Sequence, residues 1–165
     1  MTRVPDGIRR HVLASANILL GASNFVVIAL PDRYSVGQTI NPAEVAGTHP
    51  ARGAAWVLDG RCSHYLRDSQ TRESLELLVV SRRGEGSVPK WFGSSDTRPL
   101  VVAQHDARLM VDEIRVGFPR RRPMARLRAA WSCERTKRAL EIELLGPHDA
   151  DLAPIAEAFA LAECH

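Results

Sequence analysis

Residues 125–145 read ARLRAAWSCERTKRALEIELL and contain the clearest structural pattern in the chain. Over residues 125–131, apolar residues alternate with Arg126 and Arg128, and over residues 139–145 they alternate with two glutamates. Successive side chains of a strand point to opposite faces, so alternation with a period of two is typical of half-buried β-strands. The stretch therefore predicts two amphipathic strands.

The two strands match each other as an antiparallel hairpin. One register places Arg128 opposite Glu141 and Leu127 opposite Ile142, so that charges meet on one face and apolar side chains on the other. This register leaves only residues 134–135 in the turn, and these have poor turn chemistry. A longer, irregular connection is therefore expected.

Outward from this hairpin, the rest of the chain predicts a mixed fold. Further strands are predicted at residues 25–30, 54–58, 75–81, 100–103 and 109–116. Helices are predicted at residues 8–20, at residues 63–74 and after Asp151. Loops are predicted at residues 31–53, 84–98 and 117–124. The sum is a single α+β domain, residues 1–165, with a largely antiparallel sheet of about six to seven short strands and helices at both termini.

Residues 12–30 carry no formally charged side chain over 19 positions. Asn17 and Asn24 interrupt this run, which predicts a helix, a turn at residues 21–24 and a buried strand. A membrane span or a targeting sequence remains the alternative for this segment. The three cysteines, an odd and widely spaced set, do not form a disulfide framework of the secreted type. We therefore expect a soluble intracellular protein, either cytoplasmic or organellar.

Positive charge is concentrated between residues 115 and 138. This segment holds nine Arg and Lys side chains against one acid, Glu134, whereas the whole chain has a formal net charge of +3. Segregated positive charge attracts phosphate backbones, anionic lipid or an acidic protein surface. Arginine accounts for 20 of the 22 basic residues, but a GC-rich genome also raises arginine content, so composition alone does not identify the partner.

The centre of this segment is an arginine triplet between two prolines, and we name residues 118–123 the arginine loop. Prolines hold a loop extended, and guanidinium groups bind phosphate oxygens through paired hydrogen bonds. The residues predicted to bind a polyanion are Arg115, Arg120, Arg121, Arg122, Lys137 and Arg138. The aromatic side chains predicted to stack on bases are Trp91, Phe92 and Phe118. The predicted function is a non-catalytic binding module for RNA or DNA.

Two alternatives follow from the same residues. The arginine loop is also suited to an acidic protein surface, which makes an accessory subunit of a multi-subunit complex the second hypothesis. Alternatively, Glu141 and Glu143 neutralise Arg126 and Arg128, and the loop is a solvated surface.

A small hydrolase or nuclease is the third hypothesis. The segment Leu20-Gly21-Ala22-Ser23-Asn24 resembles the nucleophile turn of GDSL-type esterases over five residues, but the matching Asp-x-x-His near the C-terminus is absent. Cys62 and His64 are one half-site for zinc, where structural sites show two tight pairs. The residues to test for an enzyme are Ser23, Cys62, His64 and His105.

The acidic residues add no specific motif. Asp59, Asp68, Glu73 and Glu76 flank two apolar strands, but their spacing matches no Mg²⁺-binding pattern. The chain also lacks a phosphate-binding Gly-x-x-x-x-Gly-Lys loop. The sequence therefore predicts no catalytic residue, no metal and no cofactor.

Overall fold

The computed structural model describes the backbone of residues 5–17, 21–37 and 60–163. Nine strands lie in these ranges: β1 (Ile8–Asn17), β2 (Gly21–Pro31), β3 (Tyr34–Gly37), β4 (Gly60–Asp68), β5 (Ser74–Arg83), β6 (Arg98–Val102), β7 (His105–Val116), β8 (Arg122–Cys133) and β9 (Arg138–Pro147). The helical elements of the same ranges are a 3₁₀ helix (Lys90–Gly93), the α-helix α1 (Ala153–Ala158) and a second 3₁₀ turn (Phe159–Leu161).

Seven of these strands form one antiparallel sheet in the order β3-β4-β5-β9-β8-β7-β6. The chain leaves β5, builds β6 to β9 as a meander and returns so that β9 pairs with β5. Strands β1 and β2 form a separate antiparallel hairpin. The meander places the β7–β8 connection beside the end of β9 and the start of β5.

The inner face of the sheet carries the core. Leu127, Ala129 and Trp131 of β8 are fully buried there, and their neighbours on β9 are buried with them. The β1–β2 hairpin and α1 supply the opposing apolar side chains, including Ile28 and Ile155. The alternating apolar residues of β8 and β9 therefore lie on the inner face as predicted, although the first half of β9 is buried on both faces.

The C-terminal segment ties the hairpin to the sheet. Val27 and Glu163 exchange backbone hydrogen bonds of 2.8 and 2.7 Å. The Arg10 guanidinium lies 2.8 Å from the Glu163 carboxylate. Asp151 accepts a hydrogen bond of 3.2 Å from the backbone N–H of Ala153, so it supports the first turn of α1.

The α+β prediction is wrong. The fold is mostly antiparallel β, and residues 8–17, predicted as helix, form β1. Residues 21–24, predicted as a turn, belong to β2, because β1 and β2 satisfy their backbone groups by pairing with each other. Residues 63–74 are also not helical, since residues 63–68 continue β4. The predicted C-terminal helix is present but short.

The predicted loops are partly correct. Residues 34–37 of the first loop form β3, and the rest of that loop beyond residue 37, like the predicted strand at 54–58, lies outside the described residues. The second loop contains the 3₁₀ helix at Lys90–Gly93. The third loop is shorter than predicted, because β8 begins at Arg122.

The β8–β9 hairpin exists, but its predicted register is wrong by two residues. Arg128 lies opposite Glu143, and Leu127 lies opposite Leu144. The turn consequently spans residues 134–137, in line with the longer connection that the sequence predicts. A shift of two leaves every side chain on its predicted face, because the strand period is two.

The apolar run at residues 12–30 does not form a transmembrane helix. No helix in the described ranges is both long enough and apolar enough to cross a bilayer.

Candidate polyanion-binding site

The arginine loop connects β7 to β8 at one end of the sheet. Arg115 and Pro123 pair across the two strands, and Val116 and Arg122 form the last pair before the connection. Gly117 begins the connection with a φ of +96°, a left-handed conformation that glycine adopts without strain. The turn therefore places Arg115 and the arginine triplet at the same end of the sheet.

The side chains of this loop project into solvent. Phe118 is 97% exposed, and Arg115 and the three arginines at 120–122 are all exposed. In the described part of the chain, none of these four guanidinium groups takes part in a hydrogen bond or an ion pair. Their positive charge is therefore available to an external anion.

Arg126 and Arg128, further along β8, are in a different situation. Their side chains lie on the outer face and converge on Asp112 of β7, with Arg126 Nε 2.8 Å from Oδ1 and Arg128 Nη2 3.2 Å from Oδ2. Hydrogen bonding from Arg126, with the positive charge of both guanidinium groups, lowers the pKa of Asp112. Of the two glutamates predicted to neutralise these arginines, Glu143 lies 3.8 Å from Arg126.

A groove runs beside the arginine loop, with an open volume of about 870 Å³. Its apolar lining includes Phe118, Met124 and Pro147, and Arg120 and Arg122 contribute the charge. Ser74, at the start of β5, and His148, the residue after β9, add polar groups to the lining. The groove therefore combines apolar contact area with two guanidinium groups that have no partner among the described residues.

Lys137 and Arg138 do not join this site. They lie at the opposite end of β8, about 35 Å from Arg122 at the usual rise per residue. Lys137 forms an ion pair with Glu85, which raises the pKa of the ammonium group. Arg138 is 3% exposed and pairs with Cys133 across β8 and β9, and burial lowers the pKa of its guanidinium group.

Trp91 and Phe92 also lie away from the arginine loop. The Trp91 ring lies beneath the Arg128 guanidinium, 4.8 Å from its centre, and Trp91 Nε1 donates a 2.7 Å hydrogen bond to Glu141. Phe92 follows in the same 3₁₀ helix and is partly buried. Of the three aromatic residues predicted to stack, the structure places only Phe118 beside the arginine triplet.

The residues considered for catalysis are dispersed. His64 is 9% exposed on the inner face, and its burial lowers the pKa of the imidazole. His105 begins β7, while Ser23 and Cys62 lie in β2 and β4, where their side chains are outside the described set. Among the residues that the structure describes, no three His, Cys, Asp or Glu side chains are grouped to hold a metal ion.

The acidic side chains near β4 and β5 contact residues of their own turn and its surroundings. Asp68 is 4% exposed, lies 3.4 Å from Arg33, and accepts a 2.8 Å hydrogen bond from the backbone of Gln70 in the β4–β5 turn. Glu73 bonds to Thr71 in that turn. Glu76 is exposed, and Asp59 lies outside the described residues. Asp68 therefore stabilises a turn.

Ser74, Met124, Pro147 and His148 were not predicted as site residues. Met124 and Pro147 pair across the predicted β8–β9 hairpin, and His148 follows β9, whereas Ser74 reaches the groove only through the long-range pairing of β9 with β5. The Gly-Pro-His segment at the end of β9 reads as an ordinary strand terminus. No local signal in the sequence identifies these residues.

No family model and no curated protein matches the chain. Among solved structures, a protein from Bacteroides thetaiotaomicron VPI-5482, with a crystal structure at 1.50 Å resolution, is similar in fold, with a TM-score of 0.51. The two share 8% sequence identity over 86% of this chain, and this chain spans 45% of the Bacteroides chain. At that identity the likeness concerns the fold alone.

Proposed function

We propose that this protein is a non-catalytic binding module that contacts RNA or DNA through the arginine loop. The observation that supports this proposal is the set of four exposed guanidinium groups at the β7–β8 end without an acidic partner in the described part of the chain. Arg126 and Arg128 of the same basic segment are paired with Asp112. The segment therefore divides into a neutralised part and a part that retains its charge.

Phosphate binding follows from the chemistry of these side chains. A guanidinium group donates two parallel hydrogen bonds to one phosphate, and this geometry suits a loop that presents successive arginines to solvent. Each neutralised phosphate releases condensed counterions, so added salt weakens binding. Contacts of this type provide affinity and position and carry no sequence information.

The test is binding of fluorescent 20-nucleotide RNA and DNA, measured by anisotropy over a range of salt concentrations. The variant Arg120→Ala/Arg121→Ala/Arg122→Ala removes three charges from the loop. We expect at least a tenfold loss of affinity at low salt and a decrease of about 2–3 in the slope of log K against log salt.

A matched control removes the same charge elsewhere. Lys90, Arg108 and Arg135 are exposed and lie outside the arginine loop, so the variant Lys90→Ala/Arg108→Ala/Arg135→Ala has the same net charge as the loop variant. We expect it to retain most of the affinity. If both triple variants lose affinity equally, binding depends on net charge and the loop is not the site. If the wild type binds neither RNA nor DNA at low salt, the proposal fails outright.

A further inference from the structure

We infer that the groove beside the arginine loop holds an unpaired base against Phe118, so that the nucleic acid is single-stranded. This inference rests on the proposed function and specifies its substrate class. The observation that carries it is that Phe118, 97% exposed, and two of the loop arginines line the same groove of about 870 Å³.

The exposure of Phe118 is unusual for this molecule. The described residues with large exposed apolar side chains are Tyr65, Val101, Val111 and Phe118, and Phe118 is much the most exposed of them. An aromatic ring offers a flat apolar face, and a nucleobase stacks on such a face whatever its sequence. Phe118 is therefore suited to contact a base.

The groove supplies the rest of a single-strand site. Arg120 and Arg122 lie in the same lining as Phe118, so a strand whose base stacks on the ring has its phosphates near two positive charges. Met124 and Pro147 add apolar surface to the lining. Ser74 adds a hydroxyl group that both donates and accepts hydrogen bonds, as a base edge requires.

A duplex does not fit this combination. In a duplex both faces of each internal base are stacked on neighbours, so Phe118 gains contact only if a base leaves the helix. Duplex binding consequently uses the arginines without the ring. The structure thus predicts a preference for single strands that depends on Phe118, and affinity for phosphate that depends on the arginines.

An anionic membrane surface is the competing partner for an aromatic residue beside arginines. Durable membrane attachment takes substantial buried apolar area together with charge. Here Phe118 is the one aromatic residue among the described residues that line the groove. One ring beside a groove is small apolar area for a membrane anchor, so these observations favour a base stacked on the ring.

The experiment compares Phe118→Ala with Phe118→Trp on three probes: a 20-nucleotide single strand, the duplex of the same sequence, and inorganic polyphosphate. We expect Phe118→Ala to lower single-strand affinity about 5- to 100-fold, the range of losses measured for base-stacking aromatics. Duplex and polyphosphate affinities should change less than twofold. Phe118→Trp should retain single-strand affinity. Tyr65→Ala, which removes another exposed aromatic ring on β4, should change none of the three.

Each outcome separates this inference from the proposed function. If Phe118→Ala leaves the affinity for all three probes unchanged, or lowers all three affinities equally, base stacking is refuted. Phosphate binding then stands, provided that the arginine triplet variant still loses affinity. If the wild type binds none of the probes, both this inference and the proposed function are refuted. If vesicles containing 30% phosphatidylserine bind in a Phe118-dependent manner without any preference for single strands, a lipid surface replaces the inference.

Discussion

Asp112 and Arg126 form a two-point ion pair between β7 and β8, with Nε 2.8 Å from Oδ1 and Nη2 bonded to Oδ2. Arg128 bonds to the same carboxylate, so one acid serves two guanidinium groups. This arrangement keeps part of the basic segment on the outer face of the sheet. Four of the charges that remain for a partner, on Arg115 and the arginine triplet, are consequently located at the β7–β8 end.

Asp112→Asn should destabilise the protein by about 1–2 kcal/mol at pH 7, because the charge-assisted bonds to Arg126 and Arg128 are weakened. The folded-state pKa of Asp112 lies below its unfolded value, so this stabilisation is complete above about pH 4 and is lost as the pH falls further. Urea unfolding at pH 7 and pH 3 checks both statements. A variant that stays equally destabilised at pH 3 would contradict this pH dependence.

Trp91→Phe should lower the free energy of unfolding by about 1–3 kcal/mol, because Glu141 is 9% exposed and loses the 2.7 Å hydrogen bond from the indole. The phenyl ring still lies beneath Arg128, so the cation–π contact is largely kept. Chemical denaturation measures the loss.

The same variant tests the site assignment. Trp91 lies on the outer face near Arg128 and Glu141, away from the arginine loop, so nucleic-acid affinity should stay within twofold of the wild type. Weaker binding with unchanged stability would instead show that Trp91 stacks on bases, as the sequence predicts.

The strands β5 to β9 could be predicted from sequence because each contains a short run of apolar residues, which in β8 and β9 alternate with charged residues. Strand β4 could not, since His64 and Asp68 occupy buried inner-face positions where the pattern requires apolar residues. The run at residues 8–17 also fits a helix, because short apolar segments satisfy both periods. Its state is decided by pairing with β2, a contact that the local sequence does not encode.

The candidate site could likewise be predicted from sequence only in part. The arginine triplet and Phe118 are adjacent in sequence, so a local reading finds them together. Arg138 follows Lys137 in the same basic run, yet its position in β9 places its side chain on the inner face of the sheet, where it is buried. Ser74 enters the groove because β9 returns to pair with β5. Residues brought together by sheet order are therefore the part that sequence reasoning misses.

Gly117→Ala should destabilise the β7–β8 connection by about 1–3 kcal/mol, because its φ of +96° is unfavourable for any residue with a Cβ atom. The new Cβ atom would lie 3.3 Å from the Arg120 carbonyl oxygen, so the loop backbone must also shift. We therefore expect weaker binding of RNA and DNA as well as a lower melting temperature.

The matched control for this substitution is Gly93→Ala. A Cβ atom at Gly93 meets no atom within 4 Å, and its backbone is not left-handed. This variant should keep both stability and affinity, since an alanine at an unstrained exposed position is neutral or slightly stabilising. If Gly117→Ala also leaves both unchanged, the loop conformation does not position the arginines.

His64→Leu should stabilise the protein. His64 is 9% exposed, lies opposite Leu77 on the inner face, and neither ring nitrogen has a hydrogen-bond partner in the described structure. Leucine removes two buried polar atoms that lack partners, which should raise the free energy of unfolding by about 1 kcal/mol at pH 7.

The stability gained through His64→Leu should increase as the pH falls. Burial places the folded-state pKa of His64 below its unfolded value of about 6.5, so the unfolded chain takes up the proton first as the pH falls. Wild-type stability should therefore decrease below about pH 6.5, and His64→Leu should decrease less. The pKa of His11 is also lowered by burial, so the stability of His64→Leu should still depend on pH to some extent. Urea unfolding between pH 7.5 and pH 5 measures these slopes, with His148→Gln as an exposed control. Equal slopes in wild type and His64→Leu would show that the imidazole at position 64 reaches solvent or a partner in solution.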